Sequence, residues 1–157
     1  MKSEALRQLE TLAFEQLRAK YPRTPVQYIP KCNYSPRTAN GLTKCVIDFL
    51  KLNGHFAQRV NTTGLPVDKR KTFTDVLGNT RQIGSITWRK SNTELGASDV
   101  VANLNGRFIA IEIKQKDKQS KDQKAYQQKI EASGGTYIIV RSFDEFYKWY
   151  KIFCNSI

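Results

Sequence analysis

Three side chains in the second half of the chain have the types and the spacing to do chemistry. Asp99 precedes Glu112 by thirteen residues, and Lys114 follows Glu112 by two. Between them SDVVANL, the dipeptide Asn105-Gly106 and RFIAIEIK read as a β-hairpin, because Asn-Gly suits the positive dihedrals of a two-residue type I′ turn. The register follows from that turn: Leu104 faces Arg107, Ala102 faces Ile109, Val100 faces Ile111 and Asp99 faces Glu112. Side chains alternate along a strand. Ile109, Ile111 and Ile113 therefore share a core face with Val100 and Ala102, while Asp99, Val101, Ala110, Glu112 and Lys114 share the other. Carboxylates directly opposed on a ladder have β-carbons roughly 4.5–5.5 Å apart and repel unless something positive comes between them. A divalent cation resolves the conflict, since a hard ion such as Mg²⁺ takes carboxylate oxygens and keeps waters, one of which can become a nucleophile. Lys114, on the same face, can hold that water or offset charge on a phosphate. The alternative is a solvated sheet face whose Asp and Glu pair with neighbouring lysines. Charge pattern alone leaves both open.

The elements that must position this hairpin are legible around it. Leu6, Leu9, Ala13 and Leu17 recur at helical spacing, which predicts a helix over 3–20. Four of the five prolines then fall between Pro22 and Pro36, an extended connector that divides an N-terminal arm (1–40) from the remaining domain (41–157). A second helix is expected from Gly41 to about Asn53, with Leu42, Val46, Phe49 and Leu50 on one stripe, and a short strand from His55 to Val60. Residues 62–90 read as an inserted loop and hairpin turning at Gly78-Asn79. Ser120 with Gln123, and Ser142 with Glu145, have the spacing of capping boxes and open two further helices that bracket the short buried strand TYIIV. The fold class expected is α/β, with a mixed central sheet flanked by helices and an N-terminal helical arm.

Asp99, then Glu112-Ile113-Lys114, on a hairpin followed by a helix, resembles the PD-(D/E)XK nuclease superfamily. The stretch from GASDVV to SFDEF resembles its VRR-NUC branch, as does the helix before Gly54 followed by Arg59-Val60-Asn61. The resemblance spans about Gly41 to Trp149 and implies a restriction-endonuclease-like core that hydrolyses phosphodiesters with Mg²⁺ or Mn²⁺. Carried over, Asp99, Glu112 and the backbone carbonyl of Ile113 are metal ligands, Lys114 is the catalytic lysine, and Gln123 matches the family's helix glutamine beside the site. The capping box offers Gln123 a purely structural role as well. There are two departures: Ser98 stands where the family usually has proline, and the acidic residue many relatives carry near the start of the helix before His55 is missing. Asn40 to Lys44 reads Asn-Gly-Leu-Thr-Lys, and Asp48 lies opposite the apolar stripe. One metal rather than two, or a ligand borrowed from the arm, are the consequences.

Composition bears on the partner. The chain has 157 residues with 26 Lys plus Arg against 14 Asp plus Glu, a net charge of +12. Such an excess points to a polyanion, nucleic acid before membrane, and no apolar run reaches the length of a span. A soluble, cytoplasmic protein is expected. One histidine, His55, and three scattered cysteines exclude histidine-based metal motifs, zinc knuckles and a disulfide framework. Lys116, Lys118, Lys121 and Lys124 run on from Lys114 as a candidate phosphate track, with Arg59 and Asn61 as further DNA contacts. Trp88, Trp149, Tyr147 and Tyr150 are expected in the core. The function expected is a metal-dependent DNA endonuclease, structure-selective in the manner of Holliday-junction or flap nucleases. The alternatives are a restriction- or repair-type endonuclease, or a catalytically silent DNA-binding module. A homodimer is expected if the arm's apolar stripe is buried against a second copy.

Overall fold

The structure is a computed structural model of the chain, and it describes residues 2–60, 64–89 and 94–156. In chain order come α1 (Glu4–Lys20), one 3₁₀ turn (Val26–Tyr28), α2 (Ala39–Leu52), β1 (Phe56–Arg59), the short strands β2 (Leu65–Asp68), β3 (Lys71–Thr74), β4 (Thr80–Ile83) and β5 (Ile86–Arg89), then β6 (Val100–Leu104), β7 (Arg107–Ile113), α3 (Lys121–Ala132), β8 (Thr136–Val140) and α4 (Phe143–Asn155). These elements make two compact units, Met1–Val60 with Gly96–Ile157, and Asn61–Leu95.

The larger unit is α/β. Its sheet has the order β1-β6-β7-β8, antiparallel except for the parallel pair β7 and β8. A parallel pair cannot be closed by a tight turn, and the chain returns from β7 to β8 through α3. The hairpin between β6 and β7 has the register expected of a two-residue turn, from Leu104 opposite Arg107 to Val100 opposite Ile111. Its turn residues Asn105 and Gly106 both take positive φ, as type I′ requires, and the Asn103 side chain accepts from the Gly106 N–H at 2.9 Å.

One sheet face is the core. Val100, Ala102, Ile109, Ile111 and Ile113 meet Leu42, Val46, Phe49 and Leu50 of α2 and Phe143, Phe146 and Tyr147 of α4, all buried. Fully burying a side chain of this size stabilises by roughly 1.5–3 kcal/mol. The Phe49 ring is met edge-on by Phe143, Phe146, Tyr147 and Tyr150 at centroid distances of 5.8, 6.1, 5.6 and 5.0 Å, the geometry the ring quadrupoles favour. His55 bonds the Tyr150 hydroxyl at 2.8 Å, and burial lowers its pKa. The lone histidine is thus a packed residue.

The N-terminal helix is not a detached arm. Ala5, Leu9 and Ala13 of α1 are buried in the same core, with Leu6 and Leu12 packed at its edge; Leu17 is only half-buried, so the stripe lies slightly rotated from the expected one. The proline-rich connector is stitched down too. The Tyr34 N–H donates to Glu10 Oε1 at 3.2 Å, the Tyr34 hydroxyl donates to Asp48 Oδ2 at 3.0 Å, and Ile29 is buried. The compact division therefore falls around residues 61–95 and not at the connector.

The smaller unit is a β-ribbon. Leu65 to Asp68 pair with Arg89 to Ile86, and Lys71 to Thr74 pair with Ile83 to Thr80. Two strands have no second layer to cover either face, and Trp88, expected in the core, is 69% exposed. Tyr147 is buried, and Trp149 and Tyr150 pack against the core as expected.

Candidate functional site

The second face of the sheet is also covered where Glu112 stands. Ala110 is buried and Glu112 is 2% exposed, so Glu112 is not on a solvated face, whereas Asp99 is half-buried and Glu112 keeps a lysine partner, Lys114, at 3.3 Å. Cover comes from α3: Tyr126 meets the ring of Tyr137 on β8 at 6.3 Å, and the Gln123 amide reaches Glu112. The chain just before Asp99 lies against the first turn of that helix. Gly96, at φ 73°, comes so close to the backbone of Asp122 and Gln123 that a β-carbon there would collide with it.

Each site residue is held by local geometry. Asp99 stands one residue outside β6, with its Oδ2 accepting from the Ile113 N–H at 2.9 Å and its carbonyl accepting from the Val60 N–H at 2.8 Å. Its side chain is thereby fixed to the strand that carries Glu112. The N–H and C=O of a strand residue project to the same side, so the Ile113 carbonyl lies on the Asp99 side of β7. Ser98 is fully buried and donates its hydroxyl to the Val100 carbonyl at 3.1 Å.

Glu112 has two unlike oxygens. Oε1 accepts from Gln123 Nε2 at 2.5 Å and lies 3.3 Å from Lys114 Nζ. Oε2 is buried with no hydrogen-bond partner. Burial first, and the negative charge of Asp99 second, push the Glu112 pKa up to about 7, with Lys114 offsetting part of the rise. A buried bare carboxylate oxygen beside a like charge is unfavourable by itself. An oxygen-seeking cation would satisfy it. Among the described residues no group of three or more His, Cys, Asp or Glu side chains could hold a metal ion. The donors present are Asp99, Glu112 and the Ile113 carbonyl, a hard, all-oxygen set that leaves several positions to water and fits Mg²⁺ or Mn²⁺ rather than zinc.

The capping role of Gln123 and its contact with Glu112 are one arrangement. Its Oε1 accepts from the Ser120 N–H at 2.9 Å while its own N–H donates to Ser120 Oγ at 3.2 Å, completing the capping box. That leaves Nε2 free for Glu112. The side-chain amide has an acceptor end and a donor end, and the two roles use one each.

The remaining expectations divide. Lys116, Lys118, Lys121 and Lys124 are all exposed, on the β7–α3 loop and the first turn of α3. Arg59 donates from Nη2 to Asn40 Oδ1 at 2.8 Å, so the start of α2 is tied to a cation. Asp48 receives the Tyr34 hydroxyl, and Glu10 of the arm receives Lys2 at 2.7 Å besides the Tyr34 N–H. Both carboxylates are thus spent on holding the connector. Asn61 lies outside the described residues.

Two residues were not singled out by the sequence. Gln115 Nε2 donates to the carbonyls of Pro36 and Arg37, at 3.3 and 2.9 Å, which brings the connector's exposed Arg37 to the end of β7. Tyr137, opposite Ala110 on the Glu112 face, keeps a buried hydroxyl without a partner, and burial pushes its pKa up to about 12. Alternation within TYIIV could have placed Tyr137 on that face, but its partner strand is far away in sequence. No family model matches the sequence, and no curated protein matches it.

Proposed function

We propose that the protein is a metal-dependent DNA endonuclease with a restriction-endonuclease-like core of the VRR-NUC type, acting on branched DNA. The observation that carries this reading is Glu112: a buried carboxylate with one oxygen held by Gln123 and Lys114, the other bare, and Asp99 repelling it. Asp99, Glu112 and the Ile113 carbonyl would hold a divalent cation, which when bound would supply Lewis-acid charge for phosphodiester hydrolysis. Gln123 and the Asp99–Ile113 hydrogen bond fix the aim of the two carboxylates before any ligand arrives. Lys114 Nζ, anchored on Glu112, orients the attacking water in line with phosphorus and offsets the negative charge that develops there. The exposed Lys116, Lys118, Lys121 and Lys124 give the DNA backbone a track along the start of α3, and Arg59 a further contact.

The test is cleavage of labelled junction, flap, single-stranded and linear duplex DNA with Mg²⁺, Mn²⁺ or EDTA. Asp99→Ala and Glu112→Ala should each abolish cleavage and leave DNA binding largely intact. Near-wild-type cleavage by either variant would remove the reading. The absence of a third carboxylate among the described residues favours one rival, a silent DNA-binding module on the same fold. For that rival, binding in EDTA would be matched by no cleavage under any metal.

A further inference from the structure

The β-ribbon of residues 65–89 has no part in the chemistry above, yet its faces are sharply sorted. The two ladders are separate two-stranded sheets whose registers are in step, and the Lys69 N–H donates to the Ser85 carbonyl at 3.2 Å in the break between them, where Gly84 takes φ 111°. Alternation within each ladder puts Leu65, Val67 and Arg89 together on one face of the first, and Lys71, Phe73, Arg81 and Ile83 together on one face of the second, with Lys69 in the break between them. Lys69, Lys71, Arg81 and Arg89 are exposed, and none has an ion-pair partner among the described residues. Neither of these faces carries an acid. Asp68 lies on the opposite face of the first ladder, bonded to Arg70 at 2.7 Å, and Asp75 turns inward to the tip. The cations alternate with exposed Phe73, Ile83 and Leu65.

The tip is equally specific. Asp75 Oδ1 accepts from the N–H groups of Leu77 at 3.0 Å and Asn79 at 2.8 Å, and the Gly78 N–H closes on the Asp75 carbonyl at 3.0 Å. This braced turn holds up Val76, fully exposed, and Leu77, 83% exposed. An apolar pair braced into water is costly unless something covers it, and a two-stranded ribbon is marginal in isolation.

The geometry points to a second DNA contact: the ribbon lays Lys69, Lys71, Arg81 and Arg89 along phosphates and inserts Val76 and Leu77 as a wedge where base stacking is interrupted. Charge complementarity identifies the partner as a polyanion, and the apolar tip between cations identifies an opened base step, because apolar wedges of this kind enter unstacked steps. The substrate class is therefore branched or distorted duplex rather than continuous duplex. This deepens the nuclease reading and rests on its DNA substrate, but it is tested without catalysis.

The full chain in EDTA is titrated with a fluorescent four-way junction and a linear duplex of equal length, over a series of salt concentrations. The wild type should prefer the junction by about tenfold. Replacing Lys69, Lys71, Arg81 and Arg89 with alanine should flatten the salt slope by roughly 0.9 per lost contact, while the Lys69→Arg, Lys71→Arg, Arg81→Lys, Arg89→Lys variant retains it. Val76→Ser with Leu77→Ser should leave duplex binding unchanged and abolish the junction preference. If the alanine variant loses its ribbon by circular dichroism, the single Lys71→Ala and Arg81→Ala variants each read about one unit of slope. An unchanged slope, or a junction preference that survives the serine pair, would overturn the proposal. So would loss of binding to phosphatidylserine vesicles with DNA binding intact, which would assign these cations to a membrane surface. Loss of cleavage in Asp99→Ala with ribbon-dependent binding preserved would keep the two readings apart.

Discussion

Glu112 is a carboxylate at 2% exposure whose Oε2 has no partner, and removing such a group from water costs several kcal/mol unless it is neutralised or paired. Without metal the relief is a proton, hence the rise from 4.5 to about 7. The sign of the consequence follows from linkage. A carboxyl whose folded pKa is raised contributes stability that is fully present below its unfolded pKa and is lost as pH rises through the folded value. In EDTA, thermal stability should therefore decline between about pH 4.5 and 7 and level off above, and Glu112→Gln should abolish that decline. Melting curves of the two proteins from pH 4 to 8 make the comparison. Identical pH profiles would show that the carboxyl titrates normally. Mg²⁺ should raise the wild-type melting temperature most at the alkaline end, where no proton competes for the oxygen.

The hairpin of β6 and β7 carries Glu112 and Lys114, and α3 brings Gln123 to Glu112, so under the proposed function the start of α3 is where substrate contacts should be felt. Its cations are exposed, and they interrupt the chain between the Glu112 strand and the helix that supplies Gln123. If Lys116, Lys118 and Lys121 track phosphates, log affinity should fall with log salt at roughly −0.9 per contact on duplex DNA, and replacing all three with alanine should flatten the slope by about two to three units. A slope that does not move would reduce the run to solvated surface. The element scale is also where the sequence was most legible. Asn105-Gly106 dictates a turn, the turn dictates a register, and the register sorts Ile109, Ile111 and Ile113 from Ala110 and Glu112, all through contacts between near neighbours.

At the scale of the molecule, α1 belongs to the core that the sheet, α2 and α4 enclose. The expectation of a dimer rested on its apolar stripe, and Ala5, Leu9 and Ala13 are already buried within the chain. Leu9→Ala should cost about 2–5 kcal/mol of stability, as a cavity in a packed interior does, and leave the molar mass by light scattering unchanged. A fall in mass with little loss of stability would return the helix to an interface between copies. Starting the chain near Thr38 should destabilise the larger unit for the same reason, because the pocket for Leu9 would open to water.

The sequence by itself determined what depends on local spacing: the hairpin and its register from Leu104–Arg107 to Val100–Ile111, the caps Ser120 and Ser142, and the α2 stripe. Tertiary structure decided what depends on which surfaces meet. A stripe on α1 is the same whether it packs on its own sheet or on a neighbour's, and only packing assigned it to its own. Trp88 looks like a core residue until the ribbon around it proves to have no second layer. Whether the Glu112 face is wet or covered turns on α3 folding back over β7 and β8, and with it the bare oxygen that marks the site. Alternation assigns a side chain to a face, but burial is set by the element that arrives on that face from elsewhere in the chain.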